Sequence, residues 1–349
     1  MINKLFYKIY LSSQAIFQRL FFGSFSKSNI NNNKNTLFFF HWGLGDFLIV
    51  SEFVEIYIKN NNSQTFLATA SKNNYQYLLD TRLFKDVILI NPPWTNRIGK
   101  YNMLHNLTFF FNIRKLINFK SLNIIFSIRN DPRDLFLAKY LKPNSIVSSS
   151  HYGLKNSIDI DIGLNEIENK YSWNDRLLEI FNLENEDKLN ELQSKSSLVY
   201  DIFIHTGSND PSKNLSTEKI TELLNSINTK KNKVIIYTSG DNFGLFSNFI
   251  NIDLKDYNKT TLDELEEDIL NSENILVNDS GPMHLAHKLG KKSISTWGPT
   301  TPEYWKPKST TPIFVEISCR PCKYNCIYET YKCLDMIDTG DILKNLKLK

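Results

Sequence analysis

The residues best suited to chemistry lie at 278–290: Asn-Asp-Ser-Gly-Pro-Met-His-Leu-Ala-His-Lys-Leu-Gly. They follow the apolar run Ile275-Leu276-Val277, which reads as a buried strand. Asp279 or Ser280 is placed to cap a helix, and Pro282 suits the first helical position, where a missing N–H costs nothing. Gly281 lets another group approach the backbone closely. The expected product is a strand, a tight turn and a helix start with free N–H groups. Such an end carries partial positive charge and favours phosphate. His284 falls in the first turn, beside that end. An ordinary capped helix does not call for Gly, Pro and His together, so a phosphate-ester site built by Asp279, Ser280, Gly281 and His284 is the expectation.

Two other turns carry candidates. His41-Trp42-Gly43-Leu44-Gly45-Asp46 lies between an apolar run and a helical pattern. Gly43 and Gly45 begin a dinucleotide fingerprint, but its third glycine is absent, since residue 48 is Leu48. The glycines otherwise open space for a substrate beside Asp46, whose carboxylate can take a proton from a hydroxyl nucleophile. Capping of the following helix accounts for Asp46 equally well. The second turn, His205 to Lys213, lacks the Gly-Lys-Ser/Thr spacing of a P-loop. Thr206 and Ser208 can donate to phosphate oxygens there, and Lys213 can place a point charge on them. Arg129, Asn130 and Arg133 follow another strand end. They suit either an anionic acceptor, such as a phosphorylated sugar, or plain surface charge.

All four cysteines fall within residues 319–333, as Cys319, Cys322, Cys326 and Cys333. Four thiolates complete a tetrahedral zinc shell, so a structural zinc is one expectation and reduced thiols or a single disulfide the other. Their clustering argues for a reducing cytoplasm rather than a disulfide-stapled secreted protein. His284 and His287 lack a third ligand to make a metal pair, and His287 reads as a surface residue. His105 and His151 have no evident partners.

These residues need elements to hold them. Short apolar runs at Leu37–Phe40, Thr65–Thr69, Val87–Ile90 and Asn123–Ile128 alternate with helical patterns from about Phe47, at Met103–Ile117 and at Leu135–Leu141. After a polar stretch from Glu184 to Ser197 the same order restarts. Strands are expected at Val199–His205, Val234–Tyr237, Ile275–Val277 and Ile294–Trp297, with helices at Thr217–Ile227 and Leu262–Leu270, the latter capped by Thr260 or Thr261. Alternation of this kind gives an α/β fold of two doubly wound, Rossmann-like domains, at 36–190 and 198–349, facing across a cleft. A chain of 349 residues fits two domains.

A formal net charge of +4 is too small to argue for nucleic acid, which counts against a zinc-bearing nucleic-acid module at the C-terminus. No apolar run reaches the roughly 20 residues of a membrane-spanning helix. Residues 1–22 are distinctive: Leu5, Ile9, Ile16 and Leu20 repeat at helical spacing, with Lys4, Lys8 and Arg19 on the border. A basic amphipathic helix like this lies in a membrane interface or packs on its own domain. A polar linker, Asn29 to Asn35, follows it.

The three turns, with Trp297-Gly298-Pro299-Thr300 and the cysteine cluster, resemble the signature regions of family 9 glycosyltransferases, the bacterial heptosyltransferases of lipopolysaccharide core synthesis. The resemblance runs from about Phe38 to Leu343. It implies the GT-B fold and an inverting transfer, independent of metal, from a nucleotide sugar, usually ADP-heptose, to a glycan or lipopolysaccharide-type acceptor. It implies that Asp46 is the base and that Lys213 contacts the donor phosphate. It implies that Asp279, Ser280, Gly281 and His284 hold the sugar diphosphate, and that Asp241 binds the ribose. The chain has Ser51-Glu52 where the family usually carries a proline, and Asn214-Leu215 where it often has Trp-Pro. Cytoplasmic placement, peripheral on the inner membrane face through residues 1–22, follows as an expectation. No catalytic cofactor is expected. The rival is a nucleotide-sugar-binding protein without catalysis, against which the presence of Asp46 speaks.

Overall fold

The computed structural model describes residues 35–40, 43–61, 64–69, 83–90, 92, 109, 122–128, 131–149, 158–163, 168–184, 198–208, 210–227, 231–240, 242–322, 326–328 and 330–348. The amphipathic segment 1–22, nearly all of the linker and the helical pattern at 103–117, apart from Phe109, lie outside these residues. So do His105, Arg129, Asn130, His151 and Asp241.

The described residues form two compact units. One holds those up to 163 together with 172–184, and the other holds 168–171 together with those from 198 onward. The short stretch 168–171 therefore packs with the second unit, although the expected boundary assigned it to the first.

The first unit contains β1 (Asn35–Phe39), β2 (Thr65–Thr69), β3 (Asp86–Leu89), β4 (Leu122–Ser127), β5 (Ser145–Ser148) and β6 (Ile160–Asp161). Their order across the sheet is β3-β2-β1-β4-β5-β6, and every pairing is parallel. The second unit repeats this plan with β7 (Tyr200–His205), β8 (Val234–Thr238), β9 (Ile252–Asp256), β10 (Ser272–Asn278), β11 (Ser293–Thr296) and β12 (Thr310–Ile313). Its order is β12-β11-β10-β7-β8-β9, again parallel throughout. Strands β4, β5, β8 and β11 are buried along their whole length, as central strands covered on both faces must be. Pro312, which cannot donate to a ladder, lies on the edge strand β12. The two doubly wound α/β units anticipated from the alternating pattern are thus present.

In each sheet the strand order reverses between its first and fourth strands, β1 and β4 in one, β7 and β10 in the other. The crevice outside the carboxyl ends at such a point is where open α/β sheets bind ligands. The three chemically rich turns follow β1, β7 and β10, so the topology delivers them to those places.

Helix α1 (Leu44–Asn60) follows β1, α2 (Pro132–Tyr140) follows β4, and α3 (Ser172–Ile180) packs against α1. Asn174 on α3 accepts from Phe53 N and donates to Ile49 O, two groups that a regular helix would join to each other. Rings of Phe38, Phe53, Tyr57, Phe126 and Phe181 fill the space beneath, with Phe38 and Phe126 stacked at 4.4 Å. In the second unit α4 (Thr217–Ser226) is capped by Ser216, whose side chain accepts from Lys219 N. Helix α5 (Asn242–Phe246) follows β8, and α6 (Leu262–Leu270) opens with a full capping box between Thr261 and Glu264. Helix α7 (Gly281–Lys288) follows β10.

Candidate active site

The second unit brings Lys213 and Asp279 together. Lys213 closes a single 3-10 turn, Pro211–Lys213, after β7, and Asp279 immediately follows β10. Lys213 Nζ is 2.7 Å from Asp279 Oδ2, with only 5% of the Asp279 side chain exposed. Thr300 Oγ1 donates to the same oxygen at 2.6 Å. A carboxylate accepts hydrogen bonds and cannot donate one to phosphate. Asp279 is therefore placed to hold an ammonium group beside the helix start rather than to grip an anion itself.

The turn carrying Lys213 is built from its own polar groups. Asp210 accepts from Ser212 N at 3.0 Å and from Ser212 Oγ at 2.7 Å. Ser208 Oγ donates to Asp210 O at 2.6 Å and accepts from Asp210 N. Thr206 Oγ1, nearly buried, reaches Tyr237 O and Thr238 Oγ1. The hydroxyls of Thr206 and Ser208, expected to face phosphate, are engaged in shaping this backbone. Asn278 ties the turn to β10 by donating to Thr206 O at 2.9 Å.

Two glycines allow close approaches here. A Cβ on Gly207 would stand 2.4 Å from the Tyr257 ring, and one on Gly298 would stand 2.8 Å from Ser212 O. Tyr257 stacks on His205, which stacks in turn on Tyr237. Burial pushes the His205 imidazole down to about 4, and its Nδ1 accepts a hydrogen bond from Gly207 N.

Helix α7 begins as the sequence suggests, with one change. Gly281, not Pro282, is its first residue, and Ser280 is the N-cap. The Ser280 side chain makes no capping bond; its hydroxyl lies 3.3 Å from Asn278 O instead. The helix end is thus not closed by its own cap, which keeps it suited to an external anion.

His284 is buried one turn in, and its Nδ1 is 2.7 Å from the hydroxyl of Tyr171. His287 is not the surface residue expected. Its ring meets Tyr171 edge-on at 4.9 Å, its Nδ1 is 2.9 Å from Ser309 Oγ, and burial lowers its imidazole to about 4, helped by the nearby Lys308 charge. Tyr171 and Ser309 stand against it, contacts that helical spacing alone does not reveal.

In the first unit Gly43 is the N-cap of α1, and Gly45 and Asp46 are its second and third residues. Asp46 lies in the first turn, half-buried, and its N–H donates to Gly43 O. Arg133 is buried in the first turn of α2 and forms a two-point contact with Asp131, Nε to Oδ1 at 2.8 Å and Nη2 to Oδ2 at 2.6 Å. That pairing engages the guanidinium face expected to meet an anionic acceptor.

The four cysteines are free thiols that line one small pocket with Ser212, Pro299 and Tyr331. Burial raises the Cys333 thiol; Arg320 opposes this, and the other three cysteines reinforce it. Among the described residues no three His, Cys, Asp or Glu side chains stand close enough to hold a metal ion. Arg320 donates to the carbonyls of Gly298, Val315 and Thr300. It thereby fixes the loop that presents Thr300 to Asp279.

Residues 166–332 match the family model for Glycosyltransferase family 9 (heptosyltransferase). The matched segment contains Lys213, Asp279 and His284, while Asp46 precedes it. Lipooligosaccharide heptosyltransferase 2 of Campylobacter jejuni subsp. jejuni serotype O:6 (strain 81116) is 28% identical over 94 residues, 26% of this chain and 30% of that protein. The match thus spans less than a third of the curated relative's length.

Among solved structures, the family 9 glycosyl transferase of Veillonella parvula DSM 2008 superposes with a TM-score of 0.66 at 16% identity, covering 91% of this chain and 97% of that one. E. coli heptosyltransferase WaaC, solved with ADP, gives a TM-score of 0.63 at 10% identity over 89% of this chain and 96% of that one. WaaC has also been solved with ADP-2-deoxy-2-fluoro heptose. At these identities the likeness establishes the fold, and the GT-B fold implied by the sequence resemblance is the fold found.

Proposed function

We propose that this protein transfers a sugar, heptose, from an ADP-linked donor to a hydroxyl of a glycan or lipopolysaccharide-type acceptor. The observation that carries this reading is the Lys213–Asp279 pair beside the uncapped start of α7, inside the segment that matches the family 9 model. An ammonium group and a helix N-terminus at one place suit a diphosphate. An open groove beside them, lined by Thr206, Pro211, Asn214 and Tyr257, offers room for the nucleoside. The ADP and ADP-sugar held by WaaC support the choice of base.

In this reading Asp46 takes the proton of the acceptor hydroxyl. The freed oxygen attacks the anomeric carbon from the face opposite the diphosphate. The bond from that carbon to the diphosphate oxygen breaks, its electron pair leaves with ADP, and the anomeric configuration inverts. Lys213, His284 and the start of α7 offset the charge that gathers on the departing diphosphate, which is preorganised electrostatic stabilisation. Because Lys213 and the helix start supply positive charge and His284 a hydrogen-bond donor, the reaction is expected to run without an added divalent ion. Residues 1–22 would hold the enzyme at the cytoplasmic face of a membrane bearing the acceptor. A structural zinc at the four cysteines is a separate proposal, which requires the thiols to draw together; elemental analysis of purified protein would find one zinc per chain or reject it.

The test is calorimetric titration of the full chain with ADP-, UDP-, GDP- and CMP-sugars without added metal. Selective binding of ADP-sugars is expected. Binding of none, or of another base only, would overturn the donor assignment.

A further inference from the structure

Resting on the reading of His284 as a donor-diphosphate contact, we propose that Tyr171 is the positioning residue that fixes which ring nitrogen of His284 carries its proton. The hydroxyl of Tyr171 and Nδ1 of His284 are 2.7 Å apart, although 113 residues separate them in sequence. The two rings also face each other, with centroids at 5.9 Å and planes 28° apart.

The approach is made by a stretch anchored at several points. Asn169 Nδ2 donates to Glu303 O at 2.8 Å and to Lys306 O at 3.0 Å, and Lys170 N donates to Tyr304 O at 2.9 Å. The Lys170 ammonium lies 4.4 Å from the centre of the Tyr304 ring. The next residue after Tyr171, Ser172, opens α3 of the first unit. The chain thus delivers one phenol to α7 from the short stretch 168–171 that packs with the second unit.

Chemistry sets the direction of the bond. Burial pushes the Tyr171 phenol far above its ordinary range, so it keeps its proton. A neutral phenol is a good donor, and a neutral imidazole has one acceptor nitrogen. When Tyr171 donates to Nδ1, the His284 proton is held on Nε2. A histidine locked in this tautomer offers Nε2–H as a hydrogen-bond donor, here to a diphosphate oxygen. The hydrogen bond to one ring nitrogen governs the role of the other. Without the phenol the proton is shared between both nitrogens and the donor is present only part of the time.

The experiment combines ADP calorimetry with nitrogen NMR of histidine-labelled full-length protein, the His284 signals being assigned by their loss in His284→Ala. In wild type those signals should report the Nε2–H form. Tyr171→Phe keeps the ring contacts and removes only the hydroxyl. It should move the signals toward the tautomeric average and weaken ADP about five- to tenfold, as loss of a well-oriented bond to an anion would. His284→Ala should weaken ADP at least as much, and adding Tyr171→Phe to it should cost nothing further. Unchanged signals in Tyr171→Phe would overturn the proposal, whatever happens to affinity. Weakened ADP in His284→Ala with full affinity in Tyr171→Phe would reject Tyr171 alone. Full affinity in His284→Ala would reject the donor-site reading of His284, and this proposal with it.

Discussion

Lys213 Nζ and Thr300 Oγ1 converge on one oxygen of Asp279, at 2.7 and 2.6 Å. The carboxylate is buried, so it fixes the cation beside α7 before any ligand arrives. Lys213→Ala removes the charge proposed to meet the diphosphate and strands Asp279. ADP affinity is expected to fall about 10- to 100-fold, and stability by about 1–3 kcal/mol, the range for a buried polar group losing its partner. Lys213→Ala with Asp279→Asn should recover much of the stability in urea melts but none of the ADP binding. Recovery of both would assign the pair to stability alone.

Gly207 and Gly298 make opposite predictions. Gly207→Ala would press its methyl against a side chain, the Tyr257 ring, and should cost about 1–3 kcal/mol. Trimming the ring with Tyr257→Ala should relieve part of that cost. Gly298→Ala meets the backbone carbonyl of Ser212, which no side-chain change can remove. It should displace the turn ending at Lys213 and weaken ADP as well as stability. Thermal melts and ADP calorimetry on the three variants check both statements.

His205 makes stability depend on pH. Its imidazole is depressed by burial to about 4 in the folded protein, against about 6.5 unfolded. Between these values the unfolded chain binds the extra proton, so stability rises with pH there. The contribution is complete above about pH 6.5 and is lost as pH falls toward 4, at most about 3 kcal/mol. His205→Asn keeps a side-chain acceptor for Gly207 N without the titration. Denaturant midpoints at pH 4.5 and 7.5 should differ less for this variant than for wild type; equal differences would remove His205 from the effect.

The chain's grammar of apolar runs and turns gave away the central strands. Thr65–Thr69 and Leu262–Leu270 fall where the pattern puts them, because a buried parallel strand and a capped amphipathic helix both leave strong local signals. Strands β6, β9 and β12 were not legible. β6 has two residues, β9 reads Ile-Asp-Leu-Lys-Asp, and β12 contains Pro312, so none is a continuous apolar run. β5 is fully buried but only four residues long, with a serine at each end.

The same division holds at the site. Lys213, Asp279 and His284 stood out by type and by their place after strands. Thr300 and Tyr171 did not, since their significance lies in contacts across 21 and 113 residues. Thr206 and Ser208 are legible as polar turn residues, but their hydroxyls are taken up by Tyr237, Thr238 and Asp210, contacts that residue type alone does not reveal.

Release of ADP from ADP-heptose by wild type and Asp46→Asn, with ADP affinity measured on both, tests sugar transfer most directly. Wild type should turn over, and the variant should bind ADP equally while its turnover falls by about 10²–10⁴, the usual worth of a general base. Equal turnover in the two proteins would contradict the role of Asp46. ADP binding with no turnover in wild type, even with acceptor glycans supplied, would contradict catalysis and leave a nucleotide-sugar-binding protein.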